Sequence, residues 1–330
     1  MINIWEYSVA RKFSYPKLAA ATNNFSEDRK LGAGSFGEVY RGDLQDPSMP
    51  PVAVKRLTTM MQRTMTDYVT EVTTLGRISH RNLVRLVGWC DGGGDGDNAK
   101  LLLVYELVAR GSLDRHLHGS DSSDWRLLTW AERYKIVLDI GYAIVYLHTG
   151  CPSPILHRDI KPSNVMLDDD LVAKLGDFGL VRQAPGRGQG TLAGTAMIGS
   201  SDYIDPVCIS NGTVSTASDM YSFGVLLLEM ATGRDPAEMR ESSIRQYALA
   251  EAVQESYRRA KVLQMADDRL NGNYVEWQME RVLVVGLLCV QAHRQDRPTI
   301  KESMAMLSYP AHTVPAVQLP MYPPITKTAE

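Results

Sequence analysis

The sequence predicts an α+β fold, with strands early in the chain and long buried helices after them, of a size that suits two lobes. Three observations carry this. Glu38-Val39-Tyr40-Arg41 and Val52-Ala53-Val54-Lys55 alternate as strands just after a run of glycines. Residues 130–147 hold Ile136, Ile140, Ala143, Ile144 and Leu147 as one helical stripe, and 218–231 reads as a buried helix. With 330 residues and 44% apolar content, the chain can bury more than one compact core, which suits two lobes sharing a cleft.

Composition removes several function classes. A net charge of −3 leaves no nucleic-acid footprint. Cys90, Cys151, Cys208 and Cys289 lie far apart with no C-x-x-C pair, so they read as reduced thiols rather than a zinc site or disulfides. The longest apolar run, 223–230, is broken by Gly224 and Glu229 and is too short for a transmembrane segment. Residues 1–11 lack both a signal peptide's apolar core and a Met-Gly start.

From the start, residues 12–28 are expected to form a short amphipathic helix, with Leu18, Ala19, Thr22 and Phe25 three or four apart and a stop at Asn23-Asn24 and Ser26. Its expected role is packing on the small lobe rather than docking. Then Gly32, Gly34 and Gly37 give G-x-G-x-x-G-x-V. A dinucleotide fold shares that order but opens a helix at the third glycine, whereas strands follow here. Glycines let a backbone approach phosphates with no Cβ between. A helix is expected from about 61 to 78, with Glu71 on one face, Leu75 toward the core and Asp67 one turn before. Residues 83–88 and 101–105 read as paired strands joined by D-G-G-G-D-G-D-N-A-K, which lacks the glycine and glutamate of a calcium loop.

Residues 155–179 hold the densest chemistry: H-R-D-I-K-P-S-N ending at Asn164, and D-F-G beginning at Asp177. These residue types suit phosphoryl transfer, in which a protein positions a hydroxyl and neutralises phosphate charge with held Mg²⁺. Asp159 would orient a hydroxyl and accept its proton. Asn164 and Asp177 would hold the metal, and Lys161 would reach the transferred phosphate. A lone Asp or Asn would more simply fill a turn or cap, but two motifs in this order outweigh that.

On these motifs the chain resembles a eukaryotic protein kinase domain over about residues 12–308. The stretches K-F-S-Y-P-K-L-A-A-A-T-N-N-F-S, G-W-C at 88–90 and S-D-M-Y-S-F-G at 218–224 are similar to plant receptor-like kinases, especially the lectin-receptor branch. The resemblance implies four regions: a juxtamembrane-like segment (1–27), a small antiparallel-sheet lobe with one main helix (28–108), a larger, mostly helical lobe (109–308) and a proline-containing tail (309–330). It implies ATP and Mg²⁺ as cofactors and transfer of the γ-phosphate to Ser/Thr hydroxyls of a protein substrate. ATP would meet Leu31, Gly32, Ala33, Gly34, Ser35, Phe36, Gly37, Val39, Ala53, Lys55, Glu106, Val108 and Met166. Lys55 would pair with Glu71, and Tyr105 would guard the back of the pocket. A membrane receptor or co-receptor kinase is the implied partner, with the chain in the cytoplasm or at the inner face of the plasma membrane.

By the same resemblance, Arg158 implies control by phosphate on the segment from Asp177 to Val207, with Thr191 and Thr195 as first acceptors and Ser200 and Ser201 behind them. That segment departs from the family at its end. Ser200 stands for threonine, Asp202 for glycine and Val207 for glutamate, so Arg297 loses its usual carboxylate, and Asp205 and Asp296 are the nearest substitutes. The alternative reading is a catalytically weak scaffold that binds nucleotide but seats no peptide. Asp219 is expected beneath the catalytic-loop backbone, and the prolines after 309 predict an extended, mobile tail.

Overall fold

The computed structural model describes residues 10–34, 37–46, 48–57, 62–92, 101–119, 126–178, 182–183, 202–239, 248–310 and 313–317. It divides into two compact units, Met1–Ala109 with Gly176–Val181, and Arg110–Leu175 with Arg182–Glu330.

The first unit is a sheet whose described strands run in the order β1-β5-β6-β4-β3-β2. They are β1 (Arg11–Lys12), β2 (Lys30–Gly34), β3 (Gly37–Gly42), β4 (Val52–Leu57), β5 (Leu86–Cys90) and β6 (Leu102–Glu106). All neighbours are antiparallel except β1, which pairs parallel with β5 through Arg11 opposite Gly88 and Lys12 opposite Trp89. The helix expected over 12–28 is therefore shorter. Lys12 belongs to β1, and α1 (Tyr15–Ala21) starts with proline in its first turn. It stops because Asn23, Asn24 and Phe25 all take left-handed backbone angles, φ 51°, 54° and 58°.

That N-terminal strap buries Phe13, Leu18 and Phe25 against Tyr40, Val52 and Val54 on one face of the sheet. Each such side chain contributes about 1.5–3 kcal/mol when fully buried. Gly88 makes the docking feasible: a Cβ there would lie 2.2 Å from the Arg11 carbonyl oxygen and 2.3 Å from the Phe13 ring. Helix α2 (Gln62–Leu75) buries Tyr68, Glu71, Val72 and Leu75, spaced three or four apart.

In the second unit, α3 (Leu113–His118) precedes α4 (Trp130–Val145), which opens on a capping box between Thr129 and Glu132. A turn of π-helix, Tyr146–Gly150, follows it. Helices α5 (Pro206–Asn211), α6 (Thr216–Thr232), α7 (Ala248–Arg258), α8 (Glu276–Cys289) and α9 (Ile300–Ser308) complete the described helices. The α6 and α8 backbones approach closely because both carry glycine at the crossing. A Cβ on Gly224 would lie 2.9 Å from the Gly286 oxygen, and one on Gly286 2.7 Å from Leu228. After the short strand β7 (Ile155–Leu156), the hairpin of β8 (Val165–Leu167) and β9 (Ala173–Leu175) turns at Asp168, whose carboxylate accepts from the Asp170 and Val172 amides. The tail's described residues form no helix or strand, yet Val317 is buried, so that stretch is held against the protein instead of trailing free. Among the described residues no helix is long and apolar enough to cross a membrane.

Candidate active site

In the first unit, the glycines at the end of β2 stand clear: a Cβ on Gly32 or Gly34 would meet nothing within 4 Å. Gly37 is different. Its φ is +139°, and a Cβ would lie 2.1 Å from the Arg56 oxygen, so the start of β3 rests on the β4 backbone. Register sets Val39 opposite Lys55 and Ala53 opposite Tyr105, which puts Val39, Ala53 and Lys55 on one face of the sheet. Leu31 and Ala33 are exposed; Ser35 and Phe36 lie outside the described residues. At the end of β6, the Glu106 carboxylate accepts from the Arg85 amide at 2.9 Å, and the Glu106 amide donates to the Arg85 oxygen at 3.0 Å, which braces the strand leading to Val108.

Lys55 is nearly buried, and its Nζ donates to Asp177 Oδ1 at 2.6 Å. Asp177 takes a left-handed φ of 56°, and Phe178 behind it is buried. Glu71, on α2, accepts a hydrogen bond from the Tyr105 hydroxyl. Burial pushes that phenol far up, and the charges of Glu71 and Asp177 add to it. The structure thus gathers Lys55, Asp177, Glu71 and Tyr105 in one unit, with Tyr105 as a partner of Glu71 that the sequence did not reveal.

The second unit gathers the other group. Asp159 is 4% exposed, and its Oδ2 lies 2.8 Å from Lys161 Nζ and 2.8 Å from Asn164 Nδ2. Asn164 also donates to the Asp159 carbonyl at 2.7 Å from a turn of 3₁₀-helix, Pro162–Asn164, so one amide fixes both ends of the loop. Met166 follows on β8 and bridges to Ser112. Beneath the loop, Asp219 accepts from the His157 and Arg158 amides at 2.9 and 2.8 Å and pairs with His148 Nε2 at 2.8 Å. Burial alone would raise its pKa, but His148 and the His157 amide hold it below the ordinary carboxylate range. This anchorage stabilises Arg158 at φ 73°, a conformation an arginine seldom adopts. The proposed acceptors Thr191, Thr195, Ser200 and Ser201 lie outside the described residues.

Past them the segment end is tied down twice. Tyr203 donates to Glu229 Oε2 at 2.5 Å, while His118 Nε2 meets Glu229 Oε1 at 2.7 Å. Asp205, 1% exposed, receives Arg297 at 2.9 Å on one oxygen and Arg294 at 2.8 Å on the other, and it also caps α5 through the Val207 amide. Arg297 therefore has its carboxylate despite Val207. Sequence reasoning named Asp205 as a substitute but missed Arg294, Glu229 and His118. Asp205 before Pro206 was a legible helix-cap signal; nothing local marks Glu229.

Asp177 presents a carboxylate and Asn164 an amide oxygen, both hard donors of the kind Mg²⁺ takes, and the Asp177 side chain is 30% exposed. Each donor type fits the ion.

A family model described as protein tyrosine and serine/threonine kinase matches residues 25–307. The L-type lectin-domain containing receptor kinase IX.1 of Arabidopsis thaliana is 40% identical over 318 residues, 96% of this chain and 46% of the relative. The lectin-domain containing receptor kinase VI.3 of the same plant is 38% identical over 304 residues, 92% of this chain and 42% of the relative. L-type kinase VIII.1 gives 40% over 303 residues, 90% of this chain and 41% of the relative. The chain thus spans less than half the length of these relatives.

Proposed function

Since the chain belongs to the protein tyrosine and serine/threonine kinase family, we propose that it transfers the γ-phosphate of ATP to serine and threonine hydroxyls of a protein substrate, with Mg²⁺ as cofactor. One observation carries the reading: Asp159 Oδ2 held at 2.8 Å by both Lys161 and Asn164. A carboxylate so fixed orients a hydroxyl and takes its proton. Lys161 then offers its ammonium to the charge on the transferred group, and its position supports Ser/Thr over Tyr. In this reading Lys55 holds the nucleotide's phosphates and Glu71 is the carboxylate assigned to pair with it. Asn164 and Asp177 are the residues that would hold Mg²⁺, which would supply charge neutralisation for the phosphates. Leu31, Val39, Ala53, Glu106 and Val108 of the first unit and Met166 of the second are the residues assigned to adenine in this reading.

In this reading residues 28–108 hold nucleotide and 109–308 seat the substrate, with 1–27 and 309–330 as flanking segments. The relatives' names support a place in receptor signalling; a membrane receptor or co-receptor kinase as partner, met on the cytoplasmic side, belongs to the same proposal. The test is purified protein with radiolabelled Mg-ATP and a general protein substrate, read by phosphoamino-acid analysis. Phosphoserine and phosphothreonine are expected. Phosphotyrosine alone would overturn the specificity, and nucleotide binding without any transfer would replace the enzyme by a scaffold.

A further inference from the structure

In the hairpin of β2 and β3, the described end of the β2 arm is loosely packed. That arm ends in glycines that a Cβ would leave in open space, and the β2–β3 ladder shifts register between Lys30 and Gly32. A bulged ladder fixes pitch less firmly than a regular one. What joins the strands lies on the face opposite Lys55, because alternation turns Glu38 and Tyr40 of β3, with Arg56 and Val54 of β4, the other way. There the Glu38 carboxylate takes Lys30 Nζ of β2 at 2.8 Å on one oxygen and, on the other, the Tyr40 hydroxyl at 2.9 Å and the Arg56 guanidinium. Three strands meet on one side chain.

The strap closes over this junction. The Arg56 guanidinium lies 5.2 Å from the Phe25 ring centre and 5.3 Å from that of Tyr40, within cation–π range. Phe25 meets Tyr40 edge-on at 5.5 Å. The Gly37 Cα sits against the Arg56 carbonyl, so any shift of Arg56 is passed to the start of β3. Hydrogen bonds from Lys30, then Arg56 and Tyr40, hold Glu38 down to about 2, which keeps the junction ionised at any working pH.

We propose that Glu38, Arg56 and Phe25 are positioning residues: a clamp on the outer face of the sheet sets the pitch of the glycine hairpin and couples nucleotide affinity to docking of the N-terminal strap. This rests on the nucleotide-holding role given to Gly32, Gly34 and Gly37. The clamp's rings are buried, but its ion pairs at Lys30, Glu38 and Arg56 are partly open to water, and such pairs contribute little to stability. Its effect is therefore on geometry.

The test takes Glu38→Ala, Glu38→Gln, Arg56→Lys and Phe25→Leu in the full chain, with three readouts: Mg-ADP affinity, the split between KM for ATP and kcat, and amide hydrogen exchange at Gly34 and Gly37 without nucleotide. In Glu38→Ala the Mg-ADP Kd and the KM for ATP should rise about tenfold with kcat within about twofold, since a misplaced phosphate cradle weakens binding before chemistry. Glu38→Gln, Arg56→Lys and Phe25→Leu, each keeping part of the junction, should lose about threefold. Exchange at Gly34 and Gly37 should quicken in the same order. Unchanged exchange at both glycines in Glu38→Ala overturns the clamp whatever nucleotide does. Faster exchange in a protein whose wild type binds no Mg-ADP keeps the clamp and rejects the nucleotide reading instead.

Discussion

Asp205 and Arg297 form a buried pair at 2.9 Å, and this pair supplies what Val207 withholds. The Arg297 Nε donates to the Gln291 carbonyl at 2.7 Å and Nη1 to the Ala217 carbonyl at 2.8 Å, so the guanidinium is satisfied on every side. Without the pair it would be a buried charge with no carboxylate, an arrangement costing about 3–5 kcal/mol. Asp205→Asn should therefore lower the melting temperature by on the order of 10 °C. Val207→Glu should bring no rise, because its carboxylate would arrive beside one already in place; calorimetry showing a higher Tm would mean that Arg297 still lacks a partner.

The same pair fixes a pH dependence. Burial alone would raise the Asp205 carboxyl, but hydrogen bonds and charge from Arg297 and Arg294 hold it below its ordinary value. A carboxylate depressed in the folded state stabilises fully above its unfolded pKa, about 3.9, and loses that contribution as pH falls toward the folded value. Wild type and Asp205→Asn should thus differ most above about pH 5 and converge below about pH 4. A difference constant down to pH 3 would assign the effect to packing.

Asp159 and Lys55 should separate chemistry from binding. Asp159→Asn should abolish transfer while changing Mg-ADP affinity less than about tenfold, because Asp159 faces a hydroxyl in the proposed reaction. Lys55→Met removes the Asp177 partner seen at 2.6 Å and should cost both turnover and nucleotide affinity. Equal turnover in wild type and Lys55→Met would remove Lys55 from the site.

If phosphate on the activation segment pairs with Arg158, phosphatase treatment should lower activity, and mass spectrometry of active protein should find phosphate on Thr191 or Thr195. Full activity from the Thr191→Ala/Thr195→Ala protein would remove both from regulation.

Much of the site was legible because its residues come in dense local order. Asp159, Lys161 and Asn164 fall within one turn of chain, and Asp219 sits in a helix whose pattern is plain. Long-range pairs were not: His118 reaches Glu229 across 111 positions, and no local spacing encodes that. The start of the chain misled for a different reason. Leu18, Thr22 and Phe25 keep a helical period, yet Phe25 is buried by three left-handed residues in succession rather than by a fourth helical turn. The strand before it has two residues, too few to show a period, and its partner Gly88 reads as any glycine until the Arg11 carbonyl is placed against it.

Gly88 gives the last prediction. Phe13 donates to the Trp89 carbonyl at 2.9 Å, and its ring fills the space that a side chain at 88 would take. In Gly88→Ala the ring can swing away, but the Arg11 oxygen, 2.2 Å from the new Cβ, is backbone and moves only if β1 leaves β5. The strap would then lose the Phe13 hydrogen bond, worth about 1 kcal/mol, and part of the burial of Phe13. The melting temperature should fall by several degrees, at about 2–4 °C per kcal/mol. Hydrogen exchange gives the discriminating readout: the Phe13 amide should lose its protection while Val54 and Val104, in the middle of the sheet, keep theirs. If Phe13 stays protected in Gly88→Ala, β5 itself has given way to the methyl group, and the strap does not depend on the missing Cβ.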